Sequence, residues 1–126
     1  LIGVSRSSKT PVSMYLANRG FKVANLPLLP EVPTPPQLHR IPARKIVGLT
    51  ISATKLIEIR RQRIRAMGMR ERSDYSDMGR IQDELHFARD LYRELGCEVV
   101  DVTDRAVEET AALVMEILGL SRVMGD

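Results

Sequence analysis

The sequence predicts an α/β fold in which helices cover both faces of a mainly parallel sheet, as one domain over residues 1–126. Apolar runs of strand length alternate along the chain with amphipathic stretches of helical period, a pattern typical of parallel β/α units. The strand-length runs are continuous rather than alternating in polarity, as expected of strands that are buried on both faces. Only five of the 126 residues are aromatic, so the core must consist of aliphatic side chains.

The predicted strands span residues 1–4, 21–29, 45–50 and 98–102. Leu1 stands where a methionine begins a complete chain, so we expect the first strand to be truncated and further residues to precede it.

The predicted helices span residues 10–18, 53–67, 78–95 and 106–118. Proline is tolerated in the opening turn of the first helix, and glycines at positions 20, 96 and 119 mark where three of the helices end. On the third helix, apolar residues recur at steps of four and three, which predicts one buried stripe. That stripe consists of Ile81, Leu85, Ala88, Tyr92 and Leu95.

Two segments interrupt this alternation. Six of the seven prolines lie in residues 27–42, which predicts a fixed, extended connection. Its apolar residues, which indicate that it packs against the domain, are Leu28, Leu29, Val32, Leu38 and Ile41. Residues 68–79 combine mixed charges with few groups to bury, so we expect a mobile loop that acts as a lid.

The net charge of +3 is unevenly distributed along the chain. Basic residues outnumber acidic residues 4 to 1 in residues 1–38 and 9 to 1 in residues 39–70, whereas residues 71–126 contain 6 basic and 14 acidic residues. The basic block is consistent with a phosphate or nucleic-acid partner, and equally with a solvated helix face that acidic neighbours balance.

Cysteine content and hydropathy indicate the compartment. Cys97 is the single cysteine, which excludes an internal disulfide, and no apolar run approaches the ~18 residues that a membrane span requires. We therefore expect a cytoplasmic protein with no membrane partner.

The strongest motif lies between the first strand and the first helix. It matches the phosphate-binding pattern G-x-x-x-x-G-K-[ST] except at the second glycine, which Ser8 replaces. The residues are Gly3, Val4, Ser5, Arg6, Ser7, Ser8, Lys9 and Thr10. A strand-to-helix turn directs backbone N–H groups and a helix N-terminus at phosphate oxygens. Because serine is more restricted than glycine, Ser8 predicts a wider loop or an added hydroxyl contact. An ordinary Ser/Lys/Thr-rich turn is the alternative.

Within this loop, Lys9 is expected to neutralise the outer phosphate oxygens, and Thr10 to hold a Mg²⁺ ion that bridges the phosphates. The loop and the predicted elements together indicate a phosphate-loop kinase-like, three-layer α/β sandwich with a mainly parallel sheet of four or more strands.

Several blocks of the sequence together resemble the family of pyruvate, phosphate dikinase and phosphoenolpyruvate synthase regulatory proteins. The blocks are GVSRSSKTP at residues 3–11, LANRG at 16–20, NLPLLP at 25–30, VGLT at 47–50, IRRQR at 59–63, VDVT at 100–103 and EETA at 108–111. They extend over essentially the whole chain and correspond to the carboxy-terminal half of a family member.

The resemblance implies a bifunctional regulator. Such a protein phosphorylates a threonine of its target enzyme with ADP as donor, and it removes that phosphate by phosphorolysis with inorganic phosphate, which releases pyrophosphate. The target would be pyruvate, phosphate dikinase or phosphoenolpyruvate synthase, and ADP would bind at residues 3–10. Assembly into a homo-oligomer stays open.

Phosphoryl transfer depends mostly on positioning and charge neutralisation, and the second helix supplies cations. Its inward residues are expected to be Leu56, Ile57, Ile64 and Met67. Its outer faces then carry Arg60, Arg61, Arg63 and Arg65. We expect Arg60 and Arg63 to act with Lys9 around the transferring phosphoryl group. A solvated surface position is the alternative for each arginine.

A carboxylate is expected to orient the acceptor hydroxyl or to hold Mg²⁺ through water. Asp101, at the end of the fourth strand, is the best candidate, and a local cap before the last helix is its alternative role. His39 and His86 are isolated histidines, which do not make a metal site.

Two other functions stay open. The first is a small-molecule or nucleotide kinase, which also uses a phosphate-binding loop. The second is a basic module that binds nucleic acid through the arginine-rich helix. The small number of aromatic residues and the single basic helix argue against the second, so no nucleic-acid partner is expected.

Overall fold

The computed structural model describes residues 1–66 and 78–119, and within them four strands are interspersed with four α-helices. The strands are β1 (Ile2–Gly3), β2 (Leu26–Pro27), β3 (Val47–Thr50) and β4 (Glu98–Asp101). The α-helices are α1 (Lys9–Asn18), α2 (Ala53–Ala66), α3 (Met78–Leu95) and α4 (Val107–Leu118).

The sheet has the strand order β2-β1-β3-β4, and each neighbouring pair is parallel. The connection from β1 through α1 to β2 runs towards one edge of the sheet, and the connection from β3 through α2 and α3 to β4 runs towards the other. Because such crossovers are right-handed, connections in opposite directions place their helices on opposite faces. Helix α4 packs against α1, and α2 packs against α3. The predicted three-layer α/β fold is confirmed.

Most helix bounds agree with the sequence prediction. Helix α3 has the predicted bounds, α1 begins at Lys9, and α4 begins at Val107. For α2 the predicted end at position 67 lies outside the described residues. Of the predicted lid, residues 68–77 also lie outside them, and Met78 and Gly79 belong to the first turn of α3.

The second strand is much shorter than the predicted residues 21–29. Within the part of the chain that the structure describes, it pairs with β1 alone, whose two residues offer it two partners. The Leu26 N–H donates to the Leu1 carbonyl and the Leu28 N–H to the Gly3 carbonyl, both at 2.9 Å. Since Pro27 lacks an N–H group and β1 ends at Gly3, nothing extends the ladder further.

The proline-rich connection is less extended than predicted, because it contains a 3₁₀ helix, Pro36–Arg40; a second 3₁₀ helix, Ala43–Lys45, directly follows the connection. A proline φ near −65° suits a 3₁₀ turn as well as extended chain, so the prolines did not decide between them. The predicted packing holds for Leu28 and Leu38, which are buried, whereas Val32 is 51% exposed and Ile41 is 44% exposed.

The core is aliphatic, as the composition predicts. Its most deeply buried apolar members are Val4, Val12, Leu16, Leu28, Val47, Leu49, Leu56, Ile81, Ala111 and Val114. Among the described residues, no helix combines the length and the apolar character needed to cross a membrane.

Tyr92 of α3 fixes the centre of the sheet. Its hydroxyl donates to the Leu49 carbonyl at 2.8 Å and lies 3.2 Å from the Ile2 carbonyl, so one phenol joins β1 and β3. The ring lies directly against Gly48, where a Cβ atom would stand 2.6 Å from a ring carbon. Glycine is therefore required at position 48 by the close approach of α3 to the sheet.

We expect Gly48→Ala to lower the free energy of unfolding by about 1–3 kcal/mol, because the added methyl group overpacks the contact with the Tyr92 ring. Urea unfolding of Gly48→Ala, Tyr92→Leu and the double variant measures the coupling. In the Tyr92→Leu background, which removes the ring, Gly48→Ala should cost much less. An equal cost in both backgrounds would contradict this contact.

Candidate functional site

The predicted phosphate loop connects the end of β1 to the start of α1. After β1 the chain crosses to β2, towards one edge of the sheet, and after β3 it crosses to β4, towards the other edge. The boundary between β1 and β3 is therefore the topological switch point. Open α/β sheets bind ligands in the crevice outside the carboxyl ends of strands at that point. The loop therefore lies where such a fold forms its ligand site.

Two loop residues have left-handed backbone conformations. Arg6 has a φ of 69° and Ser8 a φ of 72°, and neither is glycine. Ser8 is also the residue before the first turn of α1. The left-handed conformation at this position accounts for the glycine in the motif, and Ser8 adopts the same conformation in its place. Left-handed non-glycine residues cost about 1–3 kcal/mol each and concentrate at functional sites.

Ser7 and Val4 face the protein interior. Ser7 is fully buried, and its Oγ donates to the Val4 carbonyl at 2.7 Å. A Cβ atom at Gly3 would lie 2.6 Å from this Oγ, so the loop closes tightly over the end of β1. The first glycine of the motif is therefore required by packing.

Lys9 folds back into the loop. Its Nζ donates to the Val4 carbonyl at 2.5 Å and lies 3.4 Å from Ser7 Oγ, and the residue is only 8% exposed. Burial lowers the pKa of Lys9, and together with the smaller effects of the positive charges of Arg60 and Arg6 it brings this pKa to about 8. The loop thus holds an ammonium group that a bound anion would stabilise.

The prediction that all four arginines of α2 lie on its outer faces is wrong for Arg60. The residue is fully buried, and its guanidinium donates to the two Glu84 carboxylate oxygens at 2.8 and 3.0 Å. The same guanidinium donates to the Ser5 carbonyl at 3.1 Å. Arg60 lies four residues from both Leu56 and Ile64, so helical geometry places it on the buried stripe.

Sequence reasoning missed the acidic partner of Arg60. Glu84 lies three residues after Ile81 and four before Ala88, within the buried stripe of α3. A charged residue on the apolar stripe of each of two helices was the available indication of a buried ion pair. Arg80 extends the pair: its Nε lies 3.3 Å from Glu84, and its guanidinium also bonds to Glu31 of the proline-rich connection.

The remaining predicted cations differ from Arg60 in their burial. Arg61, Arg63 and Arg65 are exposed, as predicted for the outer faces of α2. Arg6 is likewise an exposed residue of the loop. Of the arginines predicted to act on phosphate, the structure brings Arg60 into contact with the loop backbone.

Thr10 and Asp101 lie apart. Thr10 is exposed in the first turn of α1, whereas Asp101 ends β4, which β3 separates from β1. Two strand spacings amount to about 10 Å. The Asp101 carboxylate accepts the Thr103 N–H at 2.9 Å, which is the local bonding considered as its alternative role.

Whether Mg²⁺ fits at the loop depends on which oxygen atoms there could be its ligands. Among the described residues, no three or more His, Cys, Asp or Glu side chains form a group that could hold a metal ion. Thr10 is the predicted protein ligand of a Mg²⁺ ion bound at the loop, and phosphate oxygens and water would complete the shell, a donor set that Mg²⁺ accepts.

A separate apolar cavity of about 310 Å³ lies at the amino ends of the strands. Its lining includes Leu1, Phe21, Leu38, Val47 and Leu118, and none of residues 3–10. It is distinct from the loop.

Comparison with known proteins gives consistent matches. The sequence model of a family described as Kinase/pyrophosphorylase matches residues 1–115. A protein of Alkaliphilus metalliredigens (strain QYMF), named as a pyruvate, phosphate dikinase regulatory protein, is 50% identical over 117 residues, which are 93% of this chain and 42% of the relative. A protein of Listeria monocytogenes serovar 1/2a, named as pyruvate, phosphate dikinase regulatory protein 2, is 52% identical over 118 residues, which are 94% of this chain and 44% of the relative. The chain spans less than half the length of these relatives.

We expect the stability of the protein to rise with pH through the titration of Lys9. Its folded-state pKa of about 8 lies below the ordinary value of 10.5. Between these values the unfolded chain binds the proton that the folded chain has released, so the free energy of unfolding increases with pH. Below about pH 8, the folded state carries the full cost of the buried ammonium.

Urea unfolding of the wild type and Lys9→Met at several pH values tests this expectation. Other groups titrate in both proteins, so their contributions cancel in the difference between the two free energies. The wild type should gain stability relative to Lys9→Met as pH rises above about 8. A difference that stays constant with pH would show that the ammonium is not destabilised by burial.

Proposed function

Because this chain belongs to the kinase/pyrophosphorylase family, which confirms the resemblance in its sequence, we propose that it contributes the ADP site of a bifunctional regulator. The regulator is an ADP-dependent protein threonine kinase and a phosphate-dependent pyrophosphorylase. Its target is pyruvate, phosphate dikinase or phosphoenolpyruvate synthase; the names of the relatives support the dikinase.

The observation that supports ADP binding is the loop at the switch point, with Lys9 enclosed in it. The first turn of α1 presents N–H groups that have no partner within the helix, and the helix dipole adds positive potential. The Lys9 ammonium and the nearby charge of Arg6 favour an anion, whereas the charge of Arg60 is balanced by Glu84. A diphosphate is the smallest nucleotide group able to contact the loop and also carry a transferable phosphoryl.

The proposed kinase reaction transfers the β-phosphoryl group of ADP to a threonine hydroxyl. The bond between the β-phosphorus and the bridging oxygen breaks, a new bond forms to the threonine oxygen, and AMP leaves. The threonine proton passes to a base, a role that we assign to Asp101; because β3 separates β4 from β1, this role requires the target threonine to lie between Asp101 and the loop. Of the four described strands, β4 is the one that ends in an acidic residue.

The proposed reverse regulation uses inorganic phosphate as nucleophile on phosphothreonine. A bond forms between an oxygen of inorganic phosphate and the phosphorus of phosphothreonine, the phosphorus–oxygen bond to threonine breaks, the threonine oxygen takes up a proton, and pyrophosphate leaves. The kinase reaction separates two adjacent phosphoryl groups and the phosphorolysis joins two, so each requires concentrated positive charge. We assign this role to Lys9 and to the exposed Arg6 and Arg63, while Mg²⁺ held by Thr10 would neutralise further phosphate charge.

The burial of Arg60 bears on the alternative functions. It removes one cation from the exposed face of α2 and so weakens a nucleic-acid surface there. A small-molecule or nucleotide kinase remains the competing proposal, and its expected donor is ATP.

We expect Lys9→Ala to weaken ADP binding about 10- to 150-fold, because a charge-assisted contact to phosphate is worth about 1.5–3 kcal/mol. Calorimetric titration with ADP, ATP and AMP measures the affinity and the preference. Lys22→Ala, which removes an exposed lysine outside the loop, is the matched control. Unchanged ADP affinity in Lys9→Ala would place the nucleotide elsewhere, and a strong preference for ATP would favour the small-molecule kinase.

A transfer assay tests the regulatory activity itself. ADP labelled in its β-phosphate is incubated with the target enzyme and either this chain or the full-length Listeria relative. We expect label on a target threonine with the relative, and little or none with this chain alone, which covers 44% of that relative. Added inorganic phosphate should then release the label as pyrophosphate. Equal transfer rates would show that this chain contains the whole catalytic apparatus.

A further inference from the structure

Arg60 makes more contacts than the neutralisation of a buried charge requires. Two bonds to Glu84 already form the fork-to-fork pair that satisfies both charges. A third bond, from Nη2, reaches the Ser5 carbonyl, 55 residues away along the sequence. The guanidinium therefore connects the two helices on one face of the sheet to the backbone of the phosphate loop.

The bond to Ser5 fixes the direction of a peptide group. In a trans peptide the C=O and the following N–H point in opposite directions. With the Ser5 carbonyl held towards Arg60, the Arg6 N–H is directed away from α2. The Val4 carbonyl is held in the same way by Ser7 and Lys9, so two successive peptide groups of the loop are anchored through their oxygens.

The conformation held by these bonds is a strained one. Arg6 follows the anchored carbonyl and has a φ of 69°, and Ser8 has a φ of 72°. Such angles persist in residues other than glycine only where the surroundings determine them. Because the loop lacks the second glycine of its motif, its conformation depends more on contacts with residues outside the loop than the conformation of a loop with glycine would.

We propose that Arg60 is a positioning residue of the phosphate loop: held by Glu84, it fixes the Ser5–Arg6 peptide and so keeps the loop N–H groups in the arrangement that receives phosphate. The proposal rests on the proposed function of the loop as the ADP site. Arg60 acts through the backbone and has no need to touch the nucleotide.

The geometry of the ion pair also limits which residue could replace Arg60. The guanidinium is a rigid fork that reaches Glu84 and Ser5 simultaneously, whereas an ammonium group is a point charge on a flexible stem. Arg60→Lys therefore retains a positive charge near Glu84 and loses the simultaneous contact. This variant separates the charge at position 60 from the geometry that positions the loop.

Glu84 provides a second, independent variant. Glu84→Gln keeps the shape of the side chain and one acceptor oxygen but loses the charge that orients Arg60. Arg93→Lys is the matched control, because Arg93 is an exposed arginine on α3 and lies outside the loop contacts. If Arg60→Lys fails to fold, Glu84→Gln carries the test.

The first measurement is the ¹⁵N–¹H spectrum of the free protein, which needs no ligand. We expect the amide resonances of Ser5, Arg6 and Ser7 to shift or broaden in Arg60→Lys and Glu84→Gln, and to stay unchanged in Arg93→Lys. Unchanged loop amides in the folded variants would overturn the proposal.

The second measurement is ADP affinity by calorimetry, with thermal denaturation to confirm folding. We expect folded Arg60→Lys to bind ADP about tenfold or more weakly, because the loop must be ordered on binding. Wild-type affinity in folded Arg60→Lys and Glu84→Gln would also overturn it. If the wild type itself does not bind ADP, the proposed function fails, and the loop amides alone still decide whether Arg60 positions the loop.

Discussion

The buried ion pair between Arg60 and Glu84 is the constraint on which the arrangement of the site depends. Removing two charges from water is costly, and the pair is tolerated because both members have several hydrogen-bonding partners. Loss of one member of such a pair typically costs about 3–5 kcal/mol, because the other charge stays buried without compensation. The pair therefore holds α2 and α3 at a fixed separation, and the loop is attached to the pair. Arg80 carries the same network outward to Glu31, so the proline-rich connection is tied to it as well.

The loop combines features that are unfavourable for stability and suitable for binding an anion. Arg6 and Ser8 have left-handed backbone angles, and the Lys9 ammonium is buried near two further positive charges. Each of these features costs free energy in the unliganded protein, and a bound phosphate would relieve the electrostatic part. Strain and unbalanced charge in one short segment are typical of sites whose geometry is set before the ligand arrives.

The position of the loop in turn depends on how β1 is held. This strand has two residues, too few to be stable by its own ladder, and it is supported by β2, by β3 and by the Tyr92 hydroxyl. The closeness of Tyr92 to the sheet is possible because position 48 has no side chain. Thus α3 supports the site twice, through Tyr92 beneath the strands and through Glu84 beneath the loop.

The sequence by itself determined the features that depend on neighbouring residues. The bounds of α3 follow from its apolar period and from Gly96, whose φ of 67° suits a helix end. The motif predicts the phosphate loop between β1 and α1, and blocks distributed over the chain identified the family. Only the tertiary structure decided the length of β2, the pairing of Arg60 with Glu84 and the separation of Asp101 from the loop. Each of these features depends on which distant segment lies alongside. A strand extends only as far as its partner strand, and a charged side chain is buried only where a counter-ion is available. The strand order sets the distance between two strand ends. Such pairings join residues far apart in the sequence: helical periodicity places Arg60 and Glu84 on the apolar stripes of their helices, but it does not show that the two side chains meet.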